Sequence, residues 1–375
     1  MRLPFELWDD IFKYLDDGHD IYALARVCKG LRDVSREAKG DHAMLVRRYK
    51  TVKLTNLQSI LNFLDLVSAS PKVGFAVLDL TVTIPFVIDR DIVGGLVQVL
   101  SVVPNTKRLS LQIQDDDLGW ASHTLLRSAH LPMLRVFATS LPFTAAVARF
   151  VKVHLKVEDI SLSTLDATNF WHTTKDRETP PSSLRTIACD LRVLQRFRPM
   201  PSLTHLHVLV QVPQTLETIC SLFGRQLISL RLGVLDQLPD LHTSPCPWST
   251  YDILTSFPRL KFIQIHMFEP DFVPQPIHWQ DKRDKALQLS RPDALTVAWV
   301  LEEQAWGTIL EHPDDVRQLF DEAASEVLRQ WAPYVDRVVY GDAGVLDTSV
   351  RFGKDGTFEI LRQDELLGED HWRKV

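Results

Sequence analysis

The sequence predicts an α/β fold in three parts: a short helical module, an irregular array of strands and helices, and a C-terminal part of mixed α and β structure. Three observations predict it. Residues 3–31 carry apolar side chains at helical spacing. The pattern apolar-x-x-apolar-x-apolar then returns eight times between residues 75 and 265, with helix-like stretches between. Beyond residue 270 that spacing gives way to a proline-rich segment, one strand, a long amphipathic helix and a hairpin.

Bulk properties bound the function. The chain has 375 residues, 45% hydrophobic and 24% charged, which is ample for buried cores and too long for one ordinary core. The formal net charge is −6, and Lys and Arg are spread along the chain, so the basic footprint of a nucleic-acid binder is missing. None of the four cysteines stands in a C-x-x-C spacing. Glu6, Asp9, Asp10 and Lys13 interrupt the first apolar stretch, as no secretory leader would tolerate. No window approaches about 18 uncharged apolar residues, so no membrane span is expected. The expectation is a cytoplasmic and/or nuclear protein with reduced thiols and no cofactor.

The first element opens at Leu3-Pro4-Phe5-Glu6-Leu7. Proline in a first helical turn gives up an N–H that has no partner there. Leu7, Ile11, Phe12 and Leu15 form one apolar stripe, and Asp16-Asp17-Gly18 ends it. Asp20 suits an N-cap, and Ile21, Leu24, Cys28 and Leu31 make a second stripe. Taken alone, this is a small helical leader packing on the next part of the chain.

The order of residue types says more. Leu3, Pro4, Glu6, Leu7, Ile11, Phe12, Leu15, Asp20, Ile21, Leu24, Val27, Cys28, Lys29 and Leu31 together resemble the F-box family, over roughly residues 2–50. Leu31 departs from the family, which often carries Trp there, but keeps an apolar contact. The stretch Met44 to Leu54 looks like the junction of fungal F-box proteins, where a strand leads into a helix; Leu57, Ile60, Leu61 and Leu64 supply that helix. The resemblance implies docking to a Skp-type adaptor and, through it, to cullin and RING subunits. Leu3, Pro4, Leu7, Ile11, Phe12, Leu15, Ile21, Leu24, Val27, Cys28 and Leu31 would make that contact. A module this small leaves apolar surface uncovered, which suits such a role.

In the second part the repeated pattern is centred on Leu78, Leu109, Leu134, Ile160, Ile187, Leu206, Leu230 and Ile263. The mean spacing of roughly 26 residues lies within the leucine-rich-repeat range of about 20–29. Each hit predicts a short strand. Ile92, Leu96, Val99 and Leu100 predict one intervening helix; Leu216, Ile219, Cys220 and Phe223 predict another. Pro132, Pro201 and Pro258 stop helices ahead of strands. The array therefore resembles a leucine-rich repeat, whose regular members carry Asn or Cys just past the strand to bond the turn backbone. Here those places hold Thr83, Gln114, Thr139, Leu165, Arg192, Gln211, Leu235 and Phe268. The array should be irregular, and an ordinary βα domain stays open. The expected limits are residues 1–50 for the F-box, 51–270 for the array and 271–375 for a C-terminal cap.

The cap is predicted from Ala294–Leu301 as a strand and Asp315–Trp331 as a helix facing in through Val316, Leu319, Phe320, Ala323, Val327 and Trp331. Asp355-Gly356 between alternating residues predicts a hairpin.

No catalytic constellation emerges: the hydrolase-elbow, phosphate-loop, dinucleotide-loop and zincin motifs do not occur. His205 and His207 share a strand face, but no third metal ligand is placed by sequence. Asp115-Asp116-Asp117 lacks the alternate spacing of a calcium loop. Cys28 belongs to an apolar stripe, where a thiol is inert. Target contacts are expected instead from the strand positions between the apolar ones: Asp79, Ser110, Arg135, Ser161, His207, Arg231 and Gln264. Arg135 and Arg231 suit an acidic or phosphorylated motif, or simply keep the sheet soluble. Trp171 and Trp248 lie between repeats and are either partner anchors or local core. Two readings result. One is the non-catalytic substrate receptor of an SCF-type ubiquitin ligase, holding a target protein. The other is a stand-alone repeat scaffold without ligase assembly.

Overall fold

The computed structural model describes residues 48–85, 89–113, 119–162, 180–197, 200–210, 215–234, 254–267, 294–301, 313–331, 334–342, 346–352, 357–367 and 371–375. These fall into two compact units, divided at the strand that starts at Asp159. The residues expected to contact the adaptor, between 3 and 31, and Trp171 and Trp248 lie outside the described residues.

The first unit alternates strands and helices: β1 (Thr51–Leu54), α1 (Leu57–Ala69), α2 (Lys72–Ala76), β2 (Asp79–Ile84), α3 (Arg90–Val102), β3 (Arg108–Ile113), α4 (Gly119–Ser128), β4 (Val136–Thr139) and α5 (Ala145–Val153). The four strands pair in parallel and in chain order. Local chemistry starts the helices where the pattern predicts. Asn56 caps α1 by accepting from the Ser59 N–H at 2.8 Å, while Ser59 Oγ accepts from the Asn56 N–H at 3.2 Å. Asp89 caps α3 through the Ile92 N–H at 2.8 Å. Ile92, Leu96, Val99 and Leu100 are all buried, as the stripe predicts. In α1 the buried face is Ile60, Phe63 and Val67, and Leu61 is exposed. The expected stripe through Leu57, Ile60, Leu61 and Leu64 is turned, because α1 packs on α3 and not along its own most apolar line.

The second unit holds β5 (Asp159–Leu162), β6 (Thr186–Asp190), α6 (Leu191–Arg196), β7 (His205–Val210), α7 (Thr215–Phe223), β8 (Ser229–Val234), β9 (Phe262–Met267), β10 (Leu295–Leu301), α8 (Pro313–Trp331), β11 (Val335–Asp342), β12 (Leu346–Phe352) and β13 (Phe358–Leu367). A 3₁₀ turn, His371–Arg373, comes last. Strands β5 to β11 are parallel in chain order. The last three are joined antiparallel, β11 to β12 and β12 to β13. The strand, helix and hairpin expected beyond residue 270 are all present. The parallel order runs through that position, since β10 pairs with β9 and β11 with β10.

Strand register corrects the repeat pattern in two places. Val52, Leu80, Leu109 and Phe137 stand in one row across β1–β4. The buried frames are therefore Val77-x-x-Leu80-x-Val82 and Leu134-x-x-Phe137-x-Thr139. The expected frames through Phe75 and Leu131 are displaced, and Phe75 is exposed. The competing frames overlap in sequence, and the hydrogen-bond register decides between them. In the second unit the row is Ile160, Ile187, Leu206, Leu230 and Ile263, as predicted, and it continues through Val297 and Val338.

A recurring backbone bond defines the repeat better than any side chain. Between most neighbouring parallel strands, one carbonyl ahead of a strand accepts from two successive N–H groups ahead of the next. Lys107 O takes Arg135 N at 2.8 Å and Val136 N at 3.0 Å. Glu158, Arg185, Thr204 and Ile228 repeat the arrangement in the second unit. The turns before several of these strands close by a bond from residue i+3 to residue i, as in Leu134 N to Leu131 O at 3.0 Å. Thr106, the polar member of the pattern, is fully buried because its hydroxyl donates to Val103 O at 2.8 Å. Thr139, a strand position in the corrected frame, is fully buried, and its hydroxyl accepts from Leu141 N at 3.0 Å.

Candidate functional site

In the second unit the two sheet faces differ in chemistry. One row per strand, from Ile160 to Val338, packs under helices. α8 lies on that side, with Phe320 against Trp299 and Tyr340 at ring-centroid distances of 6.0 and 5.4 Å. Alternation sends the neighbouring residues to the opposite face. There the register sets Asp159, Thr186, His205, Ser229 and Phe262 side by side, and beside them Ser161, Ala188, His207, Arg231 and Gln264.

His207 and Arg231 are register neighbours on this face, as the sequence predicts. Gln264 belongs to the same row but is buried at 5% exposure, so it is not part of a solvated polar strip. Arg135 belongs to the first unit. It precedes β4 and has the parity of Phe137, so Ala138, and not Arg135, is the row partner of Ser110. The frame shift in that repeat is the reason.

The segment 371–375 lies on this face, and no repeat pattern announces it. The Trp372 indole meets the His207 ring edge-on at 5.7 Å and is 1% exposed. It shares an apolar cluster with Ala188, Phe262, Ala298, Val300 and Val339, and Val375 packs against it. The His371 ring meets Phe262 at 5.3 Å. Arg373 lies over the Trp372 indole at 4.9 Å and pairs with Asp159, Nε to Oδ2 at 3.4 Å. The one sequence sign of such a contact is an aromatic residue between basic ones, which local pattern alone reads as a solvated turn.

Electrostatics of the face follow from burial. Burial lowers the affinity of His205 for a proton, so its imidazole is neutral at pH 7. His371 is lowered too, first by burial and then by Arg337 and Lys374. Burial and the adjacent Asp190 carboxylate push the Cys189 thiol far up, which makes it unreactive. Among the described residues no group of three or more His, Cys, Asp or Glu is placed to hold a metal ion. This face combines a buried indole, a carboxylate paired with arginine and imidazoles of lowered proton affinity.

Residues 1–38 match the family model described as F-box-like. The chain carries an F-box-like domain. The match takes in all eleven residues that the resemblance assigns to the adaptor. No curated protein matches the chain as a relative. F-box domains in general bind Skp-type adaptors, and F-box proteins are typically non-catalytic substrate receptors.

Proposed function

We propose that this F-box protein is the substrate-recognition subunit of an SCF-type cullin-RING ubiquitin ligase, acting without catalytic residues of its own. Residues Leu3, Pro4, Leu7, Ile11, Phe12, Leu15, Ile21, Leu24, Val27, Cys28 and Leu31 dock to the Skp-type adaptor, which joins the chain to cullin and RING subunits. The irregular, leucine-rich-repeat-like array and its C-terminal cap hold a target protein. The cytoplasm or nucleus is the matching compartment. The F-box-like match at residues 1–38 carries this reading. It is supported by the parallel strand order and the repeated carbonyl bond, which give a periodic sheet suited to displaying recognition side chains.

The test is co-purification of the full chain with a Skp-type adaptor. Leu3→Ala with Pro4→Ala should abolish adaptor binding and leave the far-ultraviolet circular dichroism of the array unchanged. Unchanged adaptor affinity in that double variant removes the ligase reading and leaves a stand-alone scaffold.

A further inference from the structure

The sheet face opposite the helices of the second unit is already partly occupied. Four contacts seat the segment 371–375 there: His371 on Phe262, Trp372 in the apolar cluster and against His207, Arg373 on Asp159, and Val375 against the cluster. A buried aromatic anchor beside a charge pair is the anatomy of a recognition hot spot. The floor beneath it has unused polar capacity. His205 Nε2 and Ser229 Oγ, register neighbours on β7 and β8, are sealed from solvent with no hydrogen-bond partner among the described residues. Ser229 is fully buried. Buried polar atoms are normally satisfied, so two unsatisfied ones side by side mark a place for a ligand's donor and acceptor.

We propose that this face is the target-recognition surface and that residues 371–375 are its resident occupant, displaced by a target segment of like chemistry: a large aromatic residue followed directly by arginine. The inference rests on the reading of the chain as a receptor. The aromatic side chain takes the seat of Trp372 between His207 and Phe262. The arginine takes Asp159. Backbone or side-chain groups of the incoming segment reach His205 and Ser229, whose Nε2 and Oγ the resident segment does not bond. The competition sets a threshold: a weak ligand does not displace a segment tethered at high effective concentration, and a good one does.

The experiment uses the full chain co-purified with the adaptor, and as probe a fluorescein-labelled peptide of sequence His-Trp-Arg-Lys-Val, followed by fluorescence anisotropy. Trp372→Ala should bind the peptide at least about tenfold more tightly than the unaltered chain, because its own segment no longer competes. In that background Asp159→Asn, and separately a peptide with Ala for Arg, should each weaken binding about fivefold. Where Trp372→Ala lowers the melting temperature sharply, Arg373→Ala gives the same comparison, since it removes the charge pair and leaves the buried aromatic in place. A folded Trp372→Ala chain that does not bind the peptide, or binds it regardless of Asp159, overturns the proposal and makes the segment a fixed cover. Dimerisation that is lost in Trp372→Ala also overturns it, since the occupant is then a second copy. Adaptor binding is scored on the same samples. Its loss in the unaltered chain strikes the receptor reading, whereas failed peptide binding with the adaptor retained strikes only this inference.

Discussion

The Tyr340 hydroxyl on β11 donates to Asp321 Oδ1 on α8 over 2.8 Å. The same hydroxyl accepts from Arg362 on β13, whose guanidinium also pairs with Asp321 and donates to Thr348 Oγ1 at 3.0 Å. The phenol and the Arg362 guanidinium together tie the long helix to three strands of the second unit. Burial pushes the Tyr340 hydroxyl up to about 12, with Arg362 opposing and Asp321 adding to the shift. An acid whose folded value is raised stabilises the fold below its unfolded value, about 10, and loses that contribution as pH climbs through 12.

Tyr340→Phe should therefore cost about 1 kcal/mol. Asp321→Ala in the Tyr340→Phe background should cost less than it does alone, since the two groups are coupled. Chemical denaturation of the second unit, followed by hydrogen exchange on α8, measures both. Additive losses disprove the coupling.

Two adjacent glycines of α3 give opposite expectations. A Cβ on Gly94 meets nothing within 4 Å, while one on Gly95 comes within 2.7 Å of Ile60 Cγ2 on α1. Gly94→Ala should stabilise the helix by about 0.5–1 kcal/mol through lower backbone entropy in the unfolded chain. Gly95→Ala should instead destabilise by about 1–3 kcal/mol, because Ile60 is fully buried and has nowhere to move. Thermal melts of the two variants should move in opposite directions, and a shared direction contradicts the packing described.

His154 is a buried, neutral pin of the first unit. Its Nε2 accepts from Leu131 N at 3.1 Å and its Nδ1 donates to Phe150 O at 2.7 Å. Burial lowers its proton affinity, the Phe150 carbonyl opposes this, and His130 adds to the lowering. Protonation removes the Nε2 lone pair that Leu131 uses. The stabilisation is fully present above the unfolded value of about 6.5 and is lost as pH falls from there through the folded value. Exchange protection at the Leu131 amide should fall over that range. His154→Ala should abolish the pH dependence and cost about 2–4 kcal/mol, from the cavity and the orphaned backbone groups. Protection that stays flat between pH 7 and 5 in the unaltered chain contradicts the assigned tautomer.

Arg231 is the one cation among the predicted target contacts that the register sets beside His207. Arg231→Glu should leave adaptor binding intact, since residue 231 lies outside the F-box-like match. In the Trp372→Ala chain it should tighten binding of the arginine-bearing peptide by about two- to fivefold, because a repelling charge becomes an attracting one. No change would place the peptide away from β8.

By itself the sequence determined where most of the repeat strands and several of the helices form, but not the helices Gly119–Ser128 and Ala145–Val153 or the strand Val335–Asp342. Ile187, Leu206, Leu230 and Ile263 announce their strands because a sheet covered on that face by helices needs an apolar residue at every second place. Ile92, Leu96, Val99 and Leu100 announce α3 by the same logic at helical period. The F-box-like segment is legible because the residues that carry the resemblance, Leu3 to Leu31, lie close together in the chain. The structure decided what depends on residues far apart. Leu131-x-x-Leu134-x-Val136 is the fully apolar frame, yet pairing with β3 selects Leu134-x-x-Phe137-x-Thr139, whose last place is a threonine. The cover of the sheet face was equally hidden. Trp372 and Phe262, or Arg373 and Asp159, meet through folding alone. Burial of an aromatic residue across such a distance is driven by non-directional removal of apolar surface from water, which leaves no periodic trace in the chain.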